Sequence, residues 1–187
     1  MRTTYKTLLL TTAMLGLIGA VIAVVILTRT SSPTPQTGTD SHIGEGDPLS
    51  PVGSAPETVA TNAMSIVFSW KPATDKSGWD ALHRAGDLLT GELAAAAATP
   101  PATSPRPVSE WDSWARSGDV VSASTTVSAG RNTTISGSAS SVPVDISQTV
   151  LHPDGDMTPY TKMTATVELV NVDGTWLVET YRIDTTQ

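Results

Sequence analysis

The pattern of apolar and polar residues changes character three times along the chain. Leu8 to Leu27, "LLLTTAMLGLIGAVIAVVIL", carries no charge. Twenty residues at about 1.5 Å each make a helix of about 30 Å, the thickness of a bilayer's hydrocarbon core. This predicts a transmembrane helix at residues 8–27, with Leu8 and Leu27 at its ends. The alternative is a cleaved signal peptide, but that has an apolar region of only about 7–15 residues and a small-x-small cleavage site. Here the run is longer and closes with "VVILTRT". Residues 28–53 are dominated by Pro, Gly, Ser and Thr, and their large apolar residues are Ile43, Leu49 and Val52. Such a segment cannot bury enough surface to offset its ordering entropy, which predicts a disordered tether of about 25–30 Å r.m.s. reach.

From residue 54 the spacing becomes helical. Ser54 and Glu57 read as a capping box, Pro56 suits a first turn, and Val59, Ala63, Ile66, Val67 and Trp70 recur on one face until Lys71-Pro72. A second start at Ser77 and Asp80 opens a stripe of Trp79, Leu82, Gly86, Leu89 and Leu93 that continues into Ala94 to Ala98 and stops at Pro100-Pro101. Ser109 and Asp112 cap a short third helix carrying Trp111 and Trp114, and Gly118 ends it. Beyond Asp119 the runs "VVSASTTVS", "TTISGSAS", "VPVDISQTVL", "TPYTKMTATVELVNV" and "TWLVETYRI" are β-branched and separated by turn residues. Asp173-Gly174 is a two-residue hairpin signal. Strict alternation after it sends Trp176, Val178, Thr180 and Arg182 to one face and Leu177, Glu179, Tyr181 and Ile183 to the other. Trp176 and Val178 are expected to face the helices and Glu179 to be solvated. Helices first and a meander after them predict an α+β domain over 54–187, three helices packed on a curved antiparallel sheet.

Charge orients this plan. The 187 residues carry 11 basic and 18 acidic side chains, a net charge of −7. Arg2, Lys6 and Arg29 make the first 29 residues +3, leaving 8 basic against 18 acidic, or −10, for the rest. The positive-inside rule then keeps residues 1–7 cytoplasmic and exports the body, which predicts a single-pass protein of the cell membrane with an extracytoplasmic domain. An acidic body without a basic cluster disfavours nucleic acid. The absence of cysteine excludes disulfides, thiolate metal sites, a cysteine nucleophile and lipoprotein processing.

The element order and the closing "DGTWLVETYRI" resemble the nuclear transport factor 2-like superfamily, a cone of three helices against a curved sheet. Its bacterial members often end in Asp-Gly-x-Trp and an alternating strand, which Asp173, Gly174 and Trp176 match. "FSWKPATDKSGWDALHRAGDLLT" (Phe68 to Thr90), a proline-rich loop and "WDSWARSGDVVSAS" (Trp111 to Ser124), behind one N-terminal span, resemble small actinobacterial membrane proteins found with conjugative or integrated elements. The same plan is similar to TcpC-like or VirB-type scaffold subunits of type IV secretion and to Mce-associated membrane proteins. The resemblance implies a non-enzymatic scaffold or accessory subunit of an envelope assembly, with conjugative secretion ahead of an Mce-type lipid importer. Its partners would be the membrane, other envelope proteins and further copies of the chain. Fold alone does not fix function.

Related folds also include ketosteroid isomerase and SnoaL-like cyclases, so an extracytoplasmic pocket enzyme or ligand-binding domain is a rival reading. Asp87, His83, Asp119, Tyr160 and Tyr181 are candidate groups, but none matches those enzymes' motifs residue by residue. His83 reads as a rim histidine and His42 as a solvated one. His152, Asp154 and Asp156 in "HPDGDMTPY" lack the terminal bidentate Glu of a calcium loop and read as a turn set by Pro153 and Gly155. Asn132-Thr133-Thr134 is a glycosylation sequon only in a eukaryotic secretory setting. No catalytic residue, metal ligand or cofactor is assigned. Trp70, Trp79, Trp111, Trp114 and Trp176 are expected mostly in the core, with one of Trp111 and Trp114 at a protein contact.

Overall fold

The computed structural model describes residues 51–103 and 107–186. The expected span from Leu8 to Leu27 and nearly all of the tether lie outside them. Among the described residues no helix is long and apolar enough to cross a membrane.

Helix α1 (Pro56–Val67) begins with Pro at its first turn, behind Ala55 in extended conformation. The Ser54–Glu57 capping box does not form, because Ala55 takes the cap position and its side chain has nothing to offer the free N–H groups. Ser54 stands one residue too early, and its N–H turns back to Pro51 O at 3.2 Å. The second box does form: Ser77 caps α2 (Gly78–Arg84) by accepting from Trp79 N–H, and Asp80 reaches back to the Ser77 N–H.

The expected long second helix is two helices. A 3₁₀ turn (Gly86–Leu88) follows α2, and Leu89 then runs extended as an isolated bridge to Val178 before α3 (Gly91–Ala98) starts. The Thr90 N–H donates to Val178 O at 2.9 Å, a bond that a continuous helix could not make. Gly91 at φ +59 turns the chain back into helix. With α4 (Trp111–Ser117), which ends at left-handed Gly118, the domain has four described helices where three were expected.

Strands β1 (Val120–Val127), β2 (Thr134–Ser136), β3 (Ala139–Leu151), β4 (Met157–Val172) and β5 (Thr175–Thr186) form one antiparallel sheet. Its order is β1-β3-β4-β5, and β2 continues the line of β1 along the same edge of β3. Pro143 marks the changeover. It lies between the last β1 pair, Val127 with Val144, and the first β2 pair, Thr134 with Ser141. Proline has no N–H to give a ladder, so it fits an interior strand only where the neighbouring strand is interrupted. Pro143 O instead accepts from Ser128 N–H at 2.9 Å.

The core lies between α1 and one face of the sheet. Val59, Ala60, Ala63, Met64 and Val67 of α1 meet Ala123, Val142, Val144, Ile146, Ala165, Val167, Leu169 and Val178, all buried. The outer edge of β1 is covered at Val121 and Ala123 by the end of α1 and the residues after it. Trp70 and Val121 exchange backbone bonds at 2.8 and 2.9 Å, Ser69 Oγ accepts from Ala123 N–H, and Ser65 Oγ donates to Ala123 O.

In the last hairpin Asp173 (φ 51) and Gly174 (φ 86) are both left-handed, as a two-residue type I′ turn requires. Beyond it the expected alternation fails midway. Val178 is fully buried, but the register shifts between Glu168/Leu169, so that Leu169 faces Val178, Glu168 faces Thr180, and Glu179 is the extra residue. A bulge reverses the side-chain phase of the strand beyond it. Tyr181 therefore packs against the core that alternation would have denied it, while Thr180 and Arg182 are exposed. Glu179 is exposed, as expected.

Candidate functional site: an apolar cleft at the end of α1

Three helix ends and one strand converge on an open cleft of about 530 Å³. Its lining is Val67 and Phe68 at the end of α1, Trp70, then Trp79 and Leu82 of α2 with Gly78, Ala96 of α3 with Thr99 and Pro101, and Tyr181 of β5. No carboxylate, imidazole or ammonium is among these groups.

The walls are fixed by side chains that satisfy helix ends. A helix leaves its last carbonyls without partners, and burying them unbonded is costly. Trp79 Nε1–H donates to Ala96 O at 2.8 Å, and its ring stacks on His83 with centroids 5.0 Å apart. His83 Nδ1 lies 2.9 Å from Ala97 O, where it must be the donor. These two bonds join α2 to the last turn of α3. Trp70 Nε1–H donates to Val67 O at 3.2 Å, and Gln148 Nε2–H to Phe68 O at 2.7 Å, which anchors the end of α1 to β3. Tyr181 meets Phe68 edge to face at 5.9 Å. Burial pushes the Tyr181 phenol above its ordinary pKa, so the hydroxyl keeps its proton and can donate.

The candidate residues fall in three places. Tyr181 lines the cleft; His83 is exposed on its rim, and Asp87 is exposed on the 3₁₀ turn. Trp111 and Trp114 are both buried, at 6 and 7 % exposure. Trp111 packs on Trp70 at 5.7 Å, and Trp114 meets Tyr160 edge to face at 4.9 Å beside Val121 and Val150. Burial, with a smaller push from Glu110, raises the Tyr160 pKa.

Asp119 and His152 form the third group. Asp119 Oδ2 accepts from Ser117 Oγ at 2.6 Å, and Oδ1 lies 2.9 Å from His152 Nδ1. The Ser117 bond first, and the His152 bond next, hold the Asp119 carboxyl below its ordinary range against the opposing effect of burial. His152 Nε2 lies 2.9 Å from Thr158 Oγ1. The chain of hydroxyl, imidazole and carboxylate closes the β3–β4 turn onto the start of β1, and none of its members lines the cleft. Within that turn His152 N–H donates to Asp156 O, Gly155 N–H to His152 O, and Gly155 takes φ +95, which is the turn expected of "HPDGDM". Among the described residues no group of three His, Cys, Asp or Glu side chains could hold a metal ion. His42 lies outside them.

The sequence pattern pointed to Tyr181 but not to Phe68, Leu82 and Pro101. The available signal was the placing of Trp70 and Trp79 at element ends, which marks where helix termini meet.

No protein-family model matches the chain, and no curated protein does. Among solved structures it is similar to the VirB8 protein of Agrobacterium tumefaciens, at 12 % identity and a TM-score of 0.41, over 72 % of this chain and 96 % of that one. It is also similar to the intermembrane space region of the chloroplast protein ARC6, at 12 % identity and a TM-score of 0.36, over 70 and 97 %. The functional reading therefore rests on this chain's own residues and geometry.

Proposed function

We propose that the chain is a non-enzymatic, single-pass membrane subunit whose extracytoplasmic domain docks other envelope proteins through the cleft. The observation that carries this is the lining itself: four aromatic rings with Leu82, Val67 and Pro101, and no carboxylate, imidazole or ammonium. Aromatic side chains in a concave apolar site supply contact area at low entropic cost, which suits recognition. The charge-free run from Leu8 to Leu27, flanked by Arg2 and Lys6, supports the anchor and its orientation. Conjugative type IV secretion is the assembly we favour, because the residues from Phe68 to Thr90 and from Trp111 to Ser124 resemble small actinobacterial membrane proteins found with conjugative or integrated elements.

A photo-crosslinking amino acid at Ala96, in the cleft, and at Lys162, on the exposed face of β4, tests this in native membranes. We expect adducts with envelope proteins from position 96 that outnumber those from position 162. Adducts from position 162 alone, or from position 96 only to the chain's own residues, overturn the reading.

A further inference from the structure

We propose that a second cleft, on the face of the sheet turned away from α1, binds the zwitterionic head of an α-amino acid, with Asp145 holding its ammonium and Lys162 its carboxylate. This site is independent of the docking reading, because the two clefts share no residue.

The alternation of the strands builds it. Val144, Ile146 and Gln148 of β3 are buried on the core side, so Asp145 and Ser147 stand on the other face. On β4, Ala165 is buried and Met163 packs on the core, which sends Lys162 and Thr164 out beside them. Thr125 Oγ1 donates to Thr61 O of α1, and Thr126 therefore shares the outer face. Thr126, Asp145 and Thr164 form one row across three strands, and Ser147 faces Lys162 in the next row. Together they line a cleft of about 390 Å³, at the small end of the range of about 300–1,000 Å³ usual for ligand pockets.

The charges of this cleft are positioned but not spent. Asp145 Oδ1 accepts from Ser128 Oγ at 2.6 Å and from Thr164 Oγ1 at 3.0 Å, which fixes the carboxylate. Its Oδ2 takes no hydrogen bond from the described residues, and neither Asp145 nor Lys162 belongs to an ion pair among them. The hydroxyls of Thr126 and Ser147 have no partner among the described residues either.

The spacing of the sheet selects the ligand. Asp145 faces Thr164 and Ser147 faces Lys162, so the two charged residues are diagonal neighbours, which lie about 7–8 Å apart. In an α-amino acid, bonds of about 1.46 and 1.52 Å put the nitrogen and the carboxylate carbon about 2.5 Å from each other. With a charge-assisted hydrogen bond of about 2.8 Å at each end, the bridge spans about 8 Å. A lone cation or a lone anion would meet one attractive and one repulsive group, whereas a zwitterion satisfies both. A sugar would find hydroxyl partners but no ring in the lining to stack on. Ile146 and Met163 give the cleft a floor of backbone, because their side chains lie in the core. Nothing there selects the ligand's own side chain, so glycine is a sufficient probe.

The test is an NMR titration of the full-length chain in lipid nanodiscs, labelled at the threonine methyl groups, with glycine. We expect saturable shifts at Thr126 and Thr164 with a Kd of about 1–10 mM, the scale of two charge-assisted bonds open to water. Glycinamide, N-acetylglycine and glucose should each bind about tenfold more weakly or not at all. Asp145→Asn, which keeps an acceptor for Ser128 and Thr164, and Lys162→Gln should each weaken glycine by about the same factor. Lys162→Arg keeps the charge and should retain binding. Lys162 is exposed, so Lys162→Gln leaves the fold intact, and thermal melts check each variant. Shifts that do not saturate at tenfold the expected Kd, glucose or N-acetylglycine matching glycine, or parent affinity in Lys162→Gln each overturn the proposal.

Discussion

Deleting Glu179 should turn half of β5 inside out. This residue is the extra one opposite the Glu168/Leu169 step, and without it strict alternation returns. If the first half of the strand holds its register, Tyr181 rotates to the exposed face and Arg182 to the core side. A tyrosine buries roughly 150–250 Å² when fully covered, so losing about 100 Å² of half-buried Tyr181 costs about 2.5 kcal/mol. The edge contact with Phe68 adds about 1 kcal/mol, and an arginine turned inward without a partner about 1–3 kcal/mol. If the second half holds instead, fully buried Val178 and half-buried Trp176 are expelled at a comparable cost. The expected total is about 4.5–6.5 kcal/mol against a typical domain stability of about 5–15 kcal/mol. At about 3–4 °C per kcal/mol for a unit of this size, the melting temperature should fall by about 13–26 °C. Glu179→Ala, at an exposed position, is the control and should stay within about 0.5 kcal/mol of the parent. Urea and thermal melts of residues 44–187 decide the matter. A deletion variant melting with the alanine control would show that the bulge does not set the phase of Tyr181.

Three further outcomes are expected. Trp114→Ala should cost about 3–5 kcal/mol in a urea melt, because the ring is buried against Tyr160, Val121 and Val150, and half-buried Trp176→Ala should cost less. Gly174→Ala should cost about 1–2 kcal/mol in the same assay, because φ 86 places a Cβ in a left-handed turn. The depressed pKa of Asp119 adds stability that is present above its unfolded value of 3.8 and is lost as pH falls through the lower folded value. Asp119→Asn should therefore be less stable than the parent at pH 7 and should lose less further stability below pH 3.8, read from urea midpoints across that range.

What the sequence made legible was local. Ser77 with Asp80, Gly118 as a helix stop, and Asp173-Gly174 as a turn each depend on residues within one turn of one another, and all three formed. Along β3, Val142, Val144, Ile146, Gln148 and Val150 alternate and are all buried, within the β-branched run "VPVDISQTVL". The failures were tertiary. The break between α2 and α3 depends on a bond from Thr90 to Val178, 88 residues away, and the local cues in "GDLLTGELAAAAA" are only Gly86 and Gly91. The bulge at Glu179 comes from pairing with β4, and it alone delivers Tyr181 to the cleft. A site assembled from residues 67 to 181 has no linear signature, so the cleft could not be read before the fold was known.

For the single-pass subunit proposed above, the covered stretch of the β1 edge bears on life in two dimensions. Proteins held in a membrane plane meet one another side on, often, and in similar orientation. Under that regime an open strand edge would let neighbouring copies zip together through backbone groups that ignore sequence. Trp70, Ser65 and Ser69 have already spent those groups on Val121 and Ala123. At Val121 and Ala123 a neighbour meets side chains and not free backbone groups, so contact there is open to selection residue by residue.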